Sequence, residues 1–401
     1  MATGGQLPTA NLANRGGIDL GVVVLVGTRK GAVVLRSTGD RQSWDVSPLV
    51  LRGWRVSAFT RDAGGRFYAA VNHDVYGAAI LVHDELGAAG HDGVEGWRQL
   101  DNAPRYEKGE VGNASHLRIV GANDPMGQYA DGGRYVDEIW KLHSVGDTVY
   151  AGVSEAGLFR SDDRGKSWQP MRGLNDHASR ANWGAGFGGL CLHSVLVDEQ
   201  NPDRIWVGIS AVGVLRSDDG GKTFHGKDEG VKHTPEGWCV HSLAHDPNRA
   251  DVIYRQDHRG MYRSSDAGDH WQPIEKGMPV SRLSDDVECV FGFAVEMDPA
   301  SGSIFALPLE SDSLRFPHGS QLCVYRTQDA GASWQPLSRG LPTGCYANVL
   351  RGAMSLDSQD PCGVYFGTTS GSLYASADRG DSWDRLTSDL PKILCVEAFD
   401  D

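Results

Sequence analysis

Three short runs carry side chains able to bind a metal ion: Trp140-Lys141-Leu142-His143-Ser144-Val145, Leu190-Cys191-Leu192-His193-Ser194-Val195 and Trp238-Cys239-Val240-His241-Ser242-Leu243. Each sets a His-Ser pair in an apolar stretch. Imidazole suits zinc, copper, iron and related ions, so His143, His193 and His241, brought to one depth from separate segments, would form a ligand set. Cys191 and Cys239 precede their histidines by two residues and so share that side of an extended strand. His258 is a fourth candidate ligand, and Glu155 and Glu310 are candidate general bases. His177, Trp183 and Arg351 are candidates for holding a substrate, beside a glycine-rich run from Gly184 to Gly189 that would let backbone approach a ligand. The competing reading is structural: duplication copied a His-Ser whose ring bonds the backbone of a neighbouring repeat.

Either reading needs an architecture that gathers distant strands around an axis. Ser161-Asp162-Asp163-Arg164-Gly165-Lys166-Ser167-Trp168 fits Ser-x-Asp-x-Gly-x-x-Trp, and the pattern returns at Ser217 to Phe224, Ser264 to Trp271, Thr327 to Trp334 and Ser376 to Trp383. Copies at intervals of roughly 50 residues define a repeat architecture. The octet reads as a tight turn between strands. Asp163, Asp219, Asp266, Asp329 and Asp378 accept backbone N–H groups, the glycine two positions later takes a positive φ, and the aromatic packs between neighbouring sheets.

These residues resemble the Asp-box, or BNR, repeat of the sialidase-like superfamily, and the resemblance covers about residues 20 to 400. It implies an all-β fold in which each box marks one blade of a β-propeller and does no chemistry. Trp44, Trp97, Trp168, Phe224, Trp271, Trp334 and Trp383 then mark seven blades of four antiparallel strands, or six if the second is misread.

Taken in order, the single domain of residues 1–401 starts with a polar leader and two β-branched runs, Gly21 to Thr28 and Gly31 to Ser37, with no strand before them. The surplus run at 392–399 (KILCVEAF) matches the innermost strand of the other repeats and is expected to complete the first blade and close the ring. Blade boundaries follow: 21–50 with 392–399, 53–101, 136–172, 189–226, 238–276, 289–339 and 346–388. An insertion at 98–136 forms a partial lid, and a second, Pro308 to Gln321, emerges on the same face. The connections between second and third strands add Arg29, Glu155, Ala211, His258 and Thr369 to that loop-rich face.

Thirty-eight Lys and Arg against 52 Asp and Glu give a net charge of −14, which argues against nucleic acid or an anionic membrane as partner. The amino terminus lacks the basic start and apolar core of a signal peptide, and no apolar run reaches the length of a membrane span, so a cytoplasmic location is expected. Seven cysteines without a CxxC pair read as reduced core thiols.

Sialidases of the superfamily carry a Phe/Tyr-Arg-Ile-Pro motif, and His116-Leu117-Arg118-Ile119-Val120 lacks the proline. Sialidase activity is accordingly disfavoured. The expectation is a metal-dependent enzyme, using Zn, Cu, Fe or Mn, acting on a small molecule at the channel mouth. The alternative is a non-catalytic propeller scaffold that binds a protein or glycan partner.

Overall fold

The computed structural model describes residues 21–86, 96–107, 134–186, 189–234 and 237–401. The leader, the centre of the 98–136 insertion with the run 116–120, and part of the glycine-rich run after Trp183 lie outside them. Among the described residues the chain folds into five four-stranded antiparallel sheets, one eight-stranded sheet, and a ribbon of Ser281–Arg282 with Glu288–Cys289. Helix is confined there to single turns such as Arg172–Asn175, and no helix is long and apolar enough to cross a membrane.

The eight-stranded sheet consists of two four-stranded halves joined by one parallel pair, Gly352 with Cys395. One half is Val349–Leu356, Val364–Thr368, Leu373–Ser376 and Asp384–Thr387. In the other, Ile393–Asp400 pairs antiparallel with Val22–Thr28, placing Val26 opposite Val396, and is followed by Gly31–Ser37 and Trp44–Val46. The surplus carboxy-terminal run is thus the strand that the first repeat lacks. The innermost strands pack in sequence: Arg55–Arg61 on Ile139–Val145, then Leu192–Val197, Val240–Asp246, Phe291–Met297, Val349–Leu356 and Ile393–Asp400, which again touches Arg55–Arg61.

The boxes repeat one hydrogen-bond pattern. In the first intact copy Ser161 Oγ donates to Asp163 Oδ1 at 2.8 Å, Gly165 N donates to Ser161 Oγ at 2.8 Å, and Ser167 N donates to Asp163 Oδ1 at 2.8 Å. Asp219, Asp266, Asp329 and Asp378 make the equivalent bonds. Hydrogen bonds from Ser167, Thr223 and Ser333 hold Asp163, Asp219 and Asp329 below the usual carboxylate range. The box glycines sit at φ 83° to 93° in all five copies, the left-handed region where a Cβ is costly.

Four of the five boxes also staple their sheet to the preceding one. Trp271 Nε1 donates to Lys227 O at 2.8 Å, and Trp334 Nε1 donates to Ile274 O at 2.6 Å. Where arginine precedes the box glycine it reaches an aspartate at the end of the previous innermost strand: Arg164 to Asp62 at 2.8 Å and Arg379 to Asp298 at 3.3 Å. Arg41, in the degenerate box, reaches Asp357 at 3.0 Å and so ties the first repeat to the last. Between the sheets lie continuous apolar cores, among them Val22, Val24, Val26, Phe366, Ile393 and Val396, all buried.

Candidate functional site

An antiparallel meander puts its first and third turns at one end and its second turn, with the connection to the next sheet, at the other. The long loops gather at that second end. The innermost strands enclose a cavity of about 580 Å³ lined by Glu138, Lys141, His143, His193, Glu296 and Arg351, among others. Burial pushes the carboxyls of Glu138 and Glu296 up to about 7 and about 8, although Arg55 Nε lies 3.2 Å from Glu138.

Each innermost strand carries a register shift against its neighbour. The shift falls at Val56/Ala58, Ile139/Lys141, Leu192/Ser194 and Val240/Ser242, so the residues skipped are Ser57, Trp140, His193 and His241. A bulge re-aims the extra side chain, and here Ser57, His193 and His241 reach the next sheet, while Trp140 Nε1 donates to Ser154 Oγ of its own sheet at 2.8 Å. Ser57 Oγ donates to Ile139 O at 2.7 Å, His241 Nδ1 meets Gly292 O at 2.6 Å, and His193 bonds the backbone of Val240.

This register corrects the expectation that three histidines share one level. His143 pairs with Tyr150 and corresponds to Leu196 and Ala244, not to His193 and His241. It lies three residues farther along, roughly 10 Å at strand rise. The spacing misleads because Gly146 and Asp147 alone close the third hairpin, whereas residues 198–204 close the fourth. Burial draws His143 down to about 3, and its Nε2 has no hydrogen-bond partner. His193 has both nitrogens engaged, since Nε2 meets Ser210 Oγ at 3.0 Å.

The fold brings together a different set. Cys239, His241 and His258 offer ligand atoms all within 4.8 Å of one another, the one such group of three or more His, Cys, Asp or Glu among the described residues. The two imidazoles meet edge to face at 5.5 Å, and Phe291 packs against both. With Nδ1 of His241 held by Gly292 O, Nε2 is left as the ligand atom, the arrangement by which an outer partner orients a metal-binding imidazole. Asp312 Oδ2 lies 3.6 Å from His258 Nε2. Burial, then the charge of Arg351, keeps His241 well below its ordinary pKa and hence neutral, as a ligand must be. Burial raises the Cys239 thiol, so a metal would have to displace its proton.

The remaining candidates lie elsewhere. Glu155 is buried at 1% exposure near Arg180 and does not line the cavity. Glu310 accepts from Gly319 N at 3.2 Å and lies 3.6 Å from His318 Nδ1, two residues before Asp312 on the same loop. Trp183 is 6% exposed, stacked on His177 at 5.7 Å with the Arg180 guanidinium 5.1 Å from its ring, and so has no open face for a substrate. His177 is likewise engaged, with Nδ1 2.8 Å from Ser179 Oγ and Nε2 3.1 Å from Phe224 O. Arg351 alone of the three substrate candidates lines the cavity. Asp312 and Arg315, in the run Glu310-Ser311-Asp312-Ser313-Leu314-Arg315, are residues the sequence reading missed. Their signal was the charge density of an insertion from which only Glu310 was singled out.

Comparison with known proteins agrees with the repeat. A model of the BNR-Asp box repeat matches residues 158–170. A xyloglucanase of a Paenibacillus species is 25% identical over 284 residues, covering 64% of this chain and 25% of that protein. The xyloglucanase Xgh74A of Acetivibrio thermocellus is 24% identical over 279 residues, covering 64% of this chain and 32% of its own length. The chain thus spans about a quarter to a third of the length of the curated relatives it matches. The solved structure of an ancestral GH74 enzyme superposes with a TM-score of 0.51 at 15% identity, over 84% of this chain and 39% of that one. The chain carries the BNR-Asp box repeat at residues 158–170, and its four-stranded antiparallel sheets are consistent with a propeller-like all-β fold.

Proposed function

We propose that the protein is a single-domain, seven-bladed β-propeller, closed by pairing of Ile393–Asp400 with Val22–Thr28, that binds a divalent transition metal at its loop-rich end and acts there on a small molecule. The observation that carries the metal reading is the convergence of Cys239, His241 and His258 donor atoms within 4.8 Å. One thiolate and two imidazoles suit zinc or copper, and three protein ligands leave a position for water or substrate. Such an ion polarises a bound carbonyl or generates a nucleophile from water. Asp312 orients His258 or completes the set. Glu310, on the same loop, is the general-base candidate, and buried Glu155 is the weaker one.

Elemental analysis of protein as purified tests this. The proposal expects about one equivalent of a transition metal, and a site saturated a hundredfold adds about 2.7 kcal/mol of stability. Less than about a tenth of an equivalent, with no thermal shift on adding Zn, Cu, Fe or Mn, would sink it.

A second reading, a glycan-binding surface, is favoured by the exposed side chains. Tyr76 at 76%, Tyr346 at 72%, Val280, Leu314 and Val75 all belong to connections at the loop-rich end. Exposed rings there suit stacking on sugar, and the relatives include proteins named xyloglucanases. Xyloglucan oligosaccharide binding that is lost in Tyr76→Ala and Tyr346→Ala, in protein without metal, would favour it over the first.

A further inference from the structure

Arg351, half-buried in the cavity wall, meets no carboxylate among the described residues. Other arginines withdrawn from solvent are met by carboxylates: Arg255 by Asp257 and by Asp228 at 2.6 Å, and Arg41 by Asp357 at 3.0 Å. Around Arg351 stand the thiols of Cys191 and Cys239, the imidazoles of His193 and His241, and a second cation, Arg315. Its Nε is buried without a hydrogen-bond partner, and its guanidinium lies 5.1 Å from the Phe293 ring, which Arg315 also approaches at 5.7 Å. The carboxyls of the cavity are committed elsewhere. Glu138 pairs with Arg55 at 3.2 Å, and Glu296 and Glu397 lie in the field of Lys141.

A guanidinium stays charged at any pH a protein meets, and a charge partly withdrawn from water without a counterion costs the fold stability. A fork held by an aromatic face and aimed into a cavity is preorganised for a planar or tetrahedral oxyanion. We propose that Arg351 receives the carboxylate or phosphate of a small molecule entering the cavity from the loop-rich end. This names the substrate class of the site proposed above, and it rests on that reading only in assigning the anion to a substrate. Cys239 and His241 lie within the field of Arg351, so a molecule anchored there by its oxyanion extends toward the Cys239, His241 and His258 cluster.

The test is calorimetric titration of the full chain with inorganic phosphate and, separately, with malonate, in low-salt buffer without chloride, paired with thermal melts. Wild type binds one equivalent of at least one probe and melts higher in its presence. Arg351→Gln weakens that binding at least about tenfold, and without anion it melts no lower than wild type, because the mutation removes an unpaired, partly buried charge. Arg351→Lys keeps the charge but not the fork and falls between them. Stronger response to malonate marks a carboxylate ligand, and stronger response to phosphate a phosphorylated one. The assignment is overturned if wild type responds to neither probe, if Arg351→Gln binds like wild type, or if the variant melts lower and leaves binding unchanged, which is the result of a purely structural role. Protein treated with chelator separates the two proposals: persistent anion binding supports Arg351 whatever the metal content, and loss of it on metal removal places the anion on the metal and refutes the role of Arg351.

Discussion

Removing Lys392 to Asp401 takes away the strand that pairs with Val22–Thr28. Its side chains Ile393, Cys395 and Val396 are 0%, 2% and 0% exposed, packed between the first sheet and its neighbours. Burying an aliphatic side chain of this size contributes about 1.5–3 kcal/mol, so Ile393 and Val396 alone account for roughly 3–6 kcal/mol. Each lost ladder hydrogen bond adds about 0.5–1.5 kcal/mol, and the truncation bares the edge of a strand whose seven residues are all buried. A typical domain has about 5–15 kcal/mol in total. The truncated chain should therefore fail to fold, or unfold in one transition at a much lower urea concentration, followed by far-UV circular dichroism and tryptophan fluorescence. Val396→Asp in the full-length chain, which buries a charge at the same seam, should move in the same direction. A truncated protein with an unchanged midpoint would refute the reasoning, because the first sheet would then be complete without its fourth strand.

Three further outcomes follow from the geometry. Trp271→Ala empties a site 3% exposed and leaves Lys227 O without its donor, so it should cost about 3–5 kcal/mol by denaturant midpoint at constant m. Glu296, pushed by burial from an ordinary value of 4.5 to about 8, binds more protons folded than unfolded, so its ionisation lowers stability as pH rises from 4.5 through 8. His143, drawn from 6.5 to about 3, acts in the opposite sense below 6.5, so the window to compare is pH 7 to 8, where Glu138, pushed to about 7, adds to the decline in the same sense as Glu296. There Glu296→Gln should flatten a decline of at most about 1.4 kcal/mol per pH unit. Zinc binding should tighten with pH and release protons, measured by titration in buffers of different ionisation enthalpy, because the Cys239 thiol is raised by burial.

The boxes made the fold legible because their chemistry is local. A Ser, an Asp that accepts from the backbone N–H four residues on, and a Gly at positive φ form one hydrogen-bonded loop whatever surrounds it. The surplus run 392–399 was legible by its likeness to other innermost strands, and it pairs where expected. The site was only half legible, for two physical reasons. The level of a side chain in the channel depends on hairpin length and on bulges, neither of which leaves a mark in the spacing of His143, His193 and His241 from their boxes. The partners of His241 come from different places in the chain: Cys239 from its own strand, His258 from the next turn, and Asp312 from an insertion. The ring of His193 is engaged on both sides, as the structural alternative describes, while His241 bonds the next sheet through Nδ1.

Cobalt(II) titration of chelator-treated protein addresses the site most directly, since the ion reports both its geometry and its ligands. With Cys239, His241 and His258 as ligands, one equivalent produces the visible bands of a four-coordinate site and a near-ultraviolet thiolate-to-cobalt band, and Cys239→Ser abolishes the latter. A wild-type protein that takes up cobalt with no thiolate band, or takes up none, contradicts the assignment.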